Sequence, residues 1–438
     1  MCLSTPKSVE KLQTALHIKA KRSPGFRFYS LYDKVYRSDV LAEAYRRCRR
    51  NGGAAGVDDH CFVDIETYGL ERWLGELADE FRHGRYVPQA VRRVRIPKPD
   101  GGERPLGIPT IRDRVAQTAT LLLLEPIFEA DFPDEQYAYR NGRNAQQALE
   151  RISALLNQGH REVVDADMKG YFDSIPHAEL LKSVARRVSD GRILRLIKQW
   201  LTAPVEEIDH RGWMHRTTRN KDTKRGTPQG VPISPLLSNV YMRRFILGWK
   251  QLGFESRLQG HIVNYADDFV ICCRAGYGRA AMQVMRDLMA CLKLTVNESK
   301  TRLCGVPQES FDFLGYTFGQ LWSRRSGRSY LGCCPSQKSM RRIRRAISER
   351  TGIHWCFLSE AEQAGRLNRL LVGWQNYFKV GTVWQAYGQV DHHLFQRLRQ
   401  WWCGKHKVRN RRDSRFSCQY VYRQLGVVQL RARRQHFS

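Results

Sequence analysis

The sequence predicts an α+β fold that becomes wholly helical toward its C-terminal end, and three stretches carry that prediction. In His261-Ile-Val-Asn-Tyr-Ala-Asp-Asp-Phe-Val-Ile-Cys-Cys273, strand-forming residues flank an acidic pair on both sides, as two short strands joined at a bend would require. In Val91–Pro109, two extended runs flank Pro99-Asp100-Gly101-Gly102, and an Asp-Gly turn between such runs reads as a hairpin. From Ser336 onward the pattern is helical, rich in arginine and tryptophan. Gly, Ser and Arg cluster between Ser323 and Pro335, where a boundary is expected.

The remaining elements follow in order. Residues 1 to about 90 read as helical and basic; Arg46-Arg-Cys-Arg-Arg50 closes a helix that Asn51-Gly52-Gly53 stops. After the first hairpin a helix is expected from Ile111 to about Glu125, halted near Pro126 because proline disfavours helix in the residue before it. Glu162–Met168 reads as a strand ahead of a helix that begins near His177. The Gly/Pro-rich stretch Arg225–Pro235 opens a helix from Leu236 to Trp249. A helix over Ala280–Leu292 follows the acidic hairpin, and Phe311–Phe318 reads as a further short strand pair.

Composition narrows the class of function. The 438 residues carry 73 Lys and Arg against 43 Asp and Glu, a formal net charge of +30. Such an excess calls for a polyanionic partner, with nucleic acid first among the candidates. No run of apolar residues is long enough to cross a membrane, and Met1–Lys7 lacks the apolar segment of a secretory signal. The 12 cysteines are scattered without a C-x-x-C pair, which argues against a zinc ribbon and suits reduced thiols in a cytoplasmic protein.

Two adjacent carboxylates amid apolar strands are costly to desolvate unless something offsets their charge. Divalent cations do so most naturally, and hard oxygen ligands suit Mg²⁺. Strand alternation places Asp165 and Asp167 on one face of Val163-Val-Asp-Ala-Asp167. An Asp of that strand brought beside Asp267 and Asp268 would build a site for two metal ions about 3.5–4 Å apart, the apparatus of nucleotide polymerisation.

Six segments stand in one order: Arg95-Ile-Pro-Lys-Pro-Asp-Gly-Gly-Glu-Arg-Pro-Leu-Gly-Ile-Pro109, Asp165-Ala-Asp-Met-Lys-Gly-Tyr-Phe-Asp-Ser-Ile-Pro176, Gly226-Thr-Pro-Gln-Gly-Val-Pro-Ile-Ser-Pro-Leu-Leu-Ser-Asn239, Tyr265-Ala-Asp-Asp268, Leu294-Thr-Val-Asn-Glu-Ser-Lys-Thr-Arg302 and Phe311-Asp-Phe-Leu-Gly315. With Leu367–Phe378 resembling a thumb or maturase region, the chain from about residue 30 to its end resembles a bacterial group II intron-encoded reverse transcriptase and maturase. It is similar to the form lacking a C-terminal HNH endonuclease, which must use a primer that it did not cut.

The resemblance implies a right-hand polymerase fold. A basic helical extension and the start of the fingers would occupy residues 1–90, fingers and palm 91–325, and a helical thumb or maturase domain 326–438. It implies an RNA-directed DNA polymerase that uses dNTPs on an RNA template–DNA primer duplex. It also implies binding of intron RNA to assist splicing and mobility, contact with target DNA, two Mg²⁺ ions for which Mn²⁺ can substitute, and a cytoplasmic place at the nucleoid. Oligomeric state stays open.

Residue by residue, the resemblance makes Asp167, Asp267 and Asp268 the metal-binding catalytic triad, with Asp165 the second choice on the strand of Asp167. Phe172 corresponds to the bulky gate beneath the sugar of the incoming nucleotide; without the resemblance it reads as a core aromatic. Lys98 and Arg104 are suited to clamp the triphosphate. Gln229 would touch the nucleotide or the template backbone, and Gly226 and Gly230 would let main chain approach closely. Lys300 fits a backbone contact near the primer terminus, or is a solvated lysine. In the C-terminal region most tryptophans read as core. The basic residues among them, Arg409, Arg411 and Arg412 included, suit structured RNA or the A-form template–primer duplex, or form a solvated face. Two further functions compete: a domesticated relative in defence or repair, and an RNA-binding splicing factor without polymerase activity.

Overall fold

Eleven short strands gather into three small sheets among the described residues. They are β1 (Val91–Pro97), β2 (Glu103–Ile108), β3 (Glu162–Ala166), β4 (Val205–Ile208), β5 (Met214–Thr217), β6 (Gly260–Tyr265), β7 (Asp268–Cys273), β8 (Arg302–Gly305), β9 (Phe311–Phe313), β10 (Tyr316–Trp322) and β11 (Ser329–Pro335). The computed structural model describes residues 5–97, 102–209, 211, 213–323, 326–408 and 416–433. Lys98 and the basic residues Arg409, Arg411 and Arg412 lie outside the described residues.

The expected hairpin forms from β1 and β2, paired antiparallel, with Ile96 opposite Arg104. Its sheet runs β2-β1-β4-β5. The strands β4 and β5 give no clear sequence signal. β5 is Met-His-Arg-Thr, largely exposed, and is held as an edge by pairing rather than by burial.

The central sheet runs β6-β7-β3-β8 and holds the acidic bend. From Phe269 to Cys273, β7 is buried on both faces, each residue at 0 % exposure. On one face Phe269, Ile271 and Cys273 join a core shared with the helices Ser234–Gln251 and Gly278–Cys291. On the other face Val270, Cys272, Val163 and Val263 meet the helix Ala145–Asn157 and the sheet β11-β10-β9. A strand covered on both sides has a near-continuous apolar run, so a charged residue is tolerated only where the strand ends. That is where Asp267 and Asp268 stand.

One expectation needs correction. The helix expected to stop near Pro126 runs from Ile111 to Glu129 with Pro126 inside it. Proline removes the amide that would bond the Leu122 carbonyl, and Gln13 supplies the missing donor, its Nε2 lying 2.9 Å from that oxygen. The His17 ring nitrogen likewise donates to the Pro126 carbonyl at 3.0 Å. Burial around most of the helix supplies the packing that carries it through the break. β10 and β11 pair antiparallel from Tyr316–Pro335 to Trp322–Ser329. The step from strand to helix falls at Pro335–Ser336, at the end of the stretch where a boundary is expected.

Beyond Ser336 the helices Gln337–Arg350, Glu360–Tyr377 and Trp384–Lys405 enclose a separate core. Trp401 and Trp402 are buried in it as expected, whereas Trp384 is exposed beside Arg431. Among the described residues, no helix is long and apolar enough to cross a membrane.

Candidate active site

The register of the central sheet assembles the acidic cluster. β3 and β7 run antiparallel with Ala166 opposite Phe269, so the next position along β3, Asp167, arrives beside Asp268. β6 and β7 pair through Tyr265 and Asp268, leaving Ala266 and Asp267 as the bend. Ala266 takes the left-handed conformation, φ +60°, and the buried Asn264 fixes it by donating from Nδ2 to the Ala266 carbonyl at 2.9 Å. Strand pairing and one strained turn residue thus bring three carboxylates to one end of the sheet, while among the described residues their side chains do not close around a single point.

Each carboxylate sits in a different environment. Asp167 accepts from Asn297 Nδ2 at 2.8 Å, and Lys300 Nζ lies 3.8 Å from the same oxygen. The backbone amide of Asn297 also bonds the Asp167 carbonyl, at 2.8 Å. Asp165 faces its cross-strand partner Arg302, 3.4 Å away, and is thereby occupied. Asp268 opens onto the cleft, yet its carboxyl is pushed up to about 7. The surrounding protein mass is the largest cause, then the charges of Asp267, Asp167 and Asp165, with Arg104 opposing them. Mutual repulsion of this kind strains the fold until a cation or a proton relieves it.

That strain gives a stability prediction. Asp268→Asn keeps the shape and removes one charge, so in chelator at pH 8, above the raised pKa, the variant should melt at a higher temperature than wild type. A lower or unchanged melting temperature by calorimetry would show that repulsion in the cluster does not weigh on the fold.

The carboxylates open into a cleft of about 690 Å³ whose lining includes Arg104, Phe172, Gln229 and Lys300. Seven of the eight residues selected from sequence therefore meet in one cavity, and the eighth, Lys98, falls outside the described residues. Arg104 reaches the cleft because the β1–β2 register carries it to the hairpin tip. Phe172 is half-buried: its ring meets Tyr171 edge-on at 5.8 Å, and its carbonyl accepts from the Thr227 amide at 2.8 Å. It is at once a core-packed ring and part of the wall.

The two glycines serve the protein's own main chain. A Cβ on Gly230 would lie 2.6 Å from Leu106 and 2.8 Å from the Gly107 carbonyl, and the Gly107 amide bonds the Gln229 carbonyl at 2.6 Å. Gly226, at φ +95°, lies where a Cβ would come within 3.2 Å of the Asp173 carbonyl. Both positions dock the Pro-Gln-Gly turn against neighbouring backbone and so aim Gln229 at the cleft.

Sequence reading missed three residues here. Asn264 and Asn297 orient the acidic cluster, and Tyr139, in the left-handed conformation at φ +57°, lines the cleft beside it. The Tyr139 phenol is pushed up by its surroundings first and then by Asp267, so it stays protonated and able to donate. A separate, larger hollow of about 1050 Å³ is lined by Asp58, Asp64, Glu76, Asp79 and Glu80 against Arg85 and Arg112, an acidic excess that does not suit a nucleotide.

Comparison with known proteins agrees with this geometry. Residues 96–318 match the family model of reverse transcriptase (RNA-dependent DNA polymerase), and residues 340–418 match the maturase-specific domain of group II introns. Protein YkfC of Escherichia coli (strain K12) is 31% identical over 369 residues, covering 76% of this chain and 93% of its own. The group II intron-encoded protein LtrA of Lactococcus lactis subsp. cremoris is 34% identical over 229 residues, 51% of this chain but only 36% of LtrA. Among solved structures, a chain of the partial Cas6-RT-Cas1–Cas2 complex aligns over 59% of this chain and 42% of its own. Its 21% identity and TM-score of 0.35 are too low to argue from. On the two domain matches and the near full-length relative, the chain belongs to the reverse transcriptase (RNA-dependent DNA polymerase) family and carries a group II intron maturase-specific domain.

Proposed function

We propose that the chain extends a DNA primer along an RNA template at the Asp167–Asp267–Asp268 cluster, and that its C-terminal helices grip the RNA of a group II intron to assist splicing and mobility. The observation that carries the first part is the strand register that sets Asp167 beside Asp268 at the mouth of a cleft already furnished with Arg104, Gln229 and Phe172.

Each side chain has a physical task in this reading. Arg104 is a fixed cation for the triphosphate, with a planar fork that fits phosphate oxygens. Gln229 offers an amide to the nucleotide or to the template backbone. Phe172 sits beneath the sugar. Lys300 and Asn297 hold Asp167 until a cation competes for it. Among the described residues, no three His, Cys, Asp or Glu side chains close around one point, so Asp167 would turn from those partners to join the pair. The donor set fits Mg²⁺: hard oxygen ligands whose mutual repulsion is unrelieved. Two such ions would lower the pKa of the primer hydroxyl and neutralise charge on the departing pyrophosphate.

For the second part, support comes from the maturase-domain match and from charge. On the helix Gln337–Arg350, Arg341 and Arg342 are exposed, and among the described residues neither pairs with a carboxylate. Arginines left free in this way are available to RNA phosphates. Purified protein should lengthen a labelled DNA primer on an RNA template when given dNTPs and Mg²⁺ or Mn²⁺, and should stop when chelator is added. RNA binding without any extension would replace this reading with that of a splicing factor.

A further inference from the structure

The segment joining the helices Gln337–Arg350 and Glu360–Tyr377 presents large apolar side chains to solvent. Ile353 is 80% exposed and Phe357 74%. Exposed rings on a mobile loop would mean little, but this loop is tied down from three sides. Lys405 donates to the carbonyls of Cys356 and Leu358 at 3.0 and 2.7 Å, Trp355 Nε1 to that of Glu349 at 3.0 Å, and Gln363 Nε2 to that of Arg350 at 2.7 Å. The rings therefore form a fixed platform, with Trp355 and Phe357 5.8 Å apart between centroids.

Beside the platform lies a hollow of about 430 Å³ lined by Arg350, Arg366, Arg369 and Leu370. The Arg366 guanidinium stacks on Trp355, 3.7 Å from the ring centroid, and its Nη1 is buried without an acceptor. None of the three arginines pairs with a carboxylate among the described residues. A buried N–H with no acceptor is costly, and three unneutralised guanidiniums around one hollow favour an anion that brings its own oxygens. Leu370 also borders a second hollow, whose lining includes Lys338, Arg342, Trp374 and Tyr377 beside Asp312.

We infer that this loop and arginine hollow bind an unpaired stretch of RNA, with phosphates held by Arg350, Arg366 and Arg369 and a base stacked on Phe357 and Trp355. The inference rests on the RNA-gripping role proposed above and specifies its place and the form of RNA. An A-form duplex keeps its bases stacked on one another and has none to offer a ring, whereas single strands are held by such pairings of aromatic faces and basic groups. The ring favours unpaired RNA over an acidic protein segment, and the arginines favour it over a purely apolar partner.

The test uses the full chain with its polymerase cleft first loaded with unlabelled RNA template–DNA primer. Labelled single-stranded RNA and a duplex of the same sequence are then titrated across salt. Phe357→Ala and Arg369→Gln alter exposed positions and should leave melting temperature and primer extension unchanged. Each should weaken single-strand binding about tenfold while sparing the duplex. Arg369→Gln should also lower the slope of log affinity against log salt by about 0.7. A 4-thiouridine RNA should crosslink within residues 351–366. Wild-type single-strand affinity and slope in both variants, or crosslinks confined to other segments, would overturn the site and leave the broader RNA role standing. If the loaded wild-type chain binds no RNA at all, that broader role fails and the site with it. If Phe357→Ala instead converts a dimer to a monomer in sedimentation, the platform is an interface between copies and the RNA assignment is wrong.

Discussion

Asp267→Ala and Asp268→Ala should each abolish primer extension while leaving affinity for structured RNA within about twofold of wild type. The carboxylates offset the charge of the reacting phosphates by holding cations, an effect worth several kcal/mol at the transition state. At about 1.36 kcal/mol per tenfold, the loss should reach at least about a thousandfold. RNA affinity comes instead from dispersed basic groups that neither substitution touches. Asp165→Ala is the informative control. Asp165 lies on β3, two residues before Asp167, but faces Arg302, so its removal should lower the rate far less than loss of Asp267 or Asp268. Single-turnover extension with saturating dNTP and Mg²⁺ separates the three. Substantial incorporation by either variant of the acidic pair, or an equal loss in Asp165→Ala, would move the metal site elsewhere in the cleft.

What could be read from the sequence was what short-range pattern determines. The β1–β2 hairpin declares itself through Asp100-Gly101 between extended runs, and the acidic bend through apolar residues on both sides of one polar pair. Strand alternation places Asp165 and Asp167 alike on one face, the family resemblance singles out Asp167, and antiparallel pairing brings it to that bend. Long-range compensation was invisible. Pro126 looks like a helix stop until Gln13, more than a hundred residues earlier, supplies the donor that proline lacks. Asn297 binds Asp167 across 130 residues of chain, and nothing in its own neighbourhood marks it as an orienting residue. Tyr139 reaches the cleft through a left-handed backbone that tyrosine rarely adopts and that no local rule foretells. The pairing of Tyr316–Trp322 with Ser329–Pro335 likewise lies beyond what the Gly, Ser and Arg composition between Ser323 and Pro335 conveys.

Removing the ring of Phe172 should relax the choice of sugar. The backbone at this position is held on both sides: Tyr171 is buried with its hydroxyl on the Ser238 carbonyl at 2.7 Å, and the Phe172 carbonyl accepts from the Thr227 amide. The ring is anchored at its Cα and packs partly against the core, so a 2′-hydroxyl placed against it would clash. A clash worth about 2–3 kcal/mol corresponds to roughly 30–150-fold in selectivity. Phe172→Val or Phe172→Ala should lower the dNTP/rNTP ratio of kcat/KM by that factor, chiefly by improving the rNTP term. Part of the ring is packed in the core, so both variants should also lose some stability, and melting temperatures must be read beside the kinetics. Phe172→Tyr supplies the control, because it keeps the bulk and should keep the ratio. If Phe172→Ala leaves the ratio at the wild-type value while the protein stays folded, Phe172 is a core residue that happens to border the cleft. The next side chain to test would then be Tyr139, which lines the same cavity beside the acidic cluster.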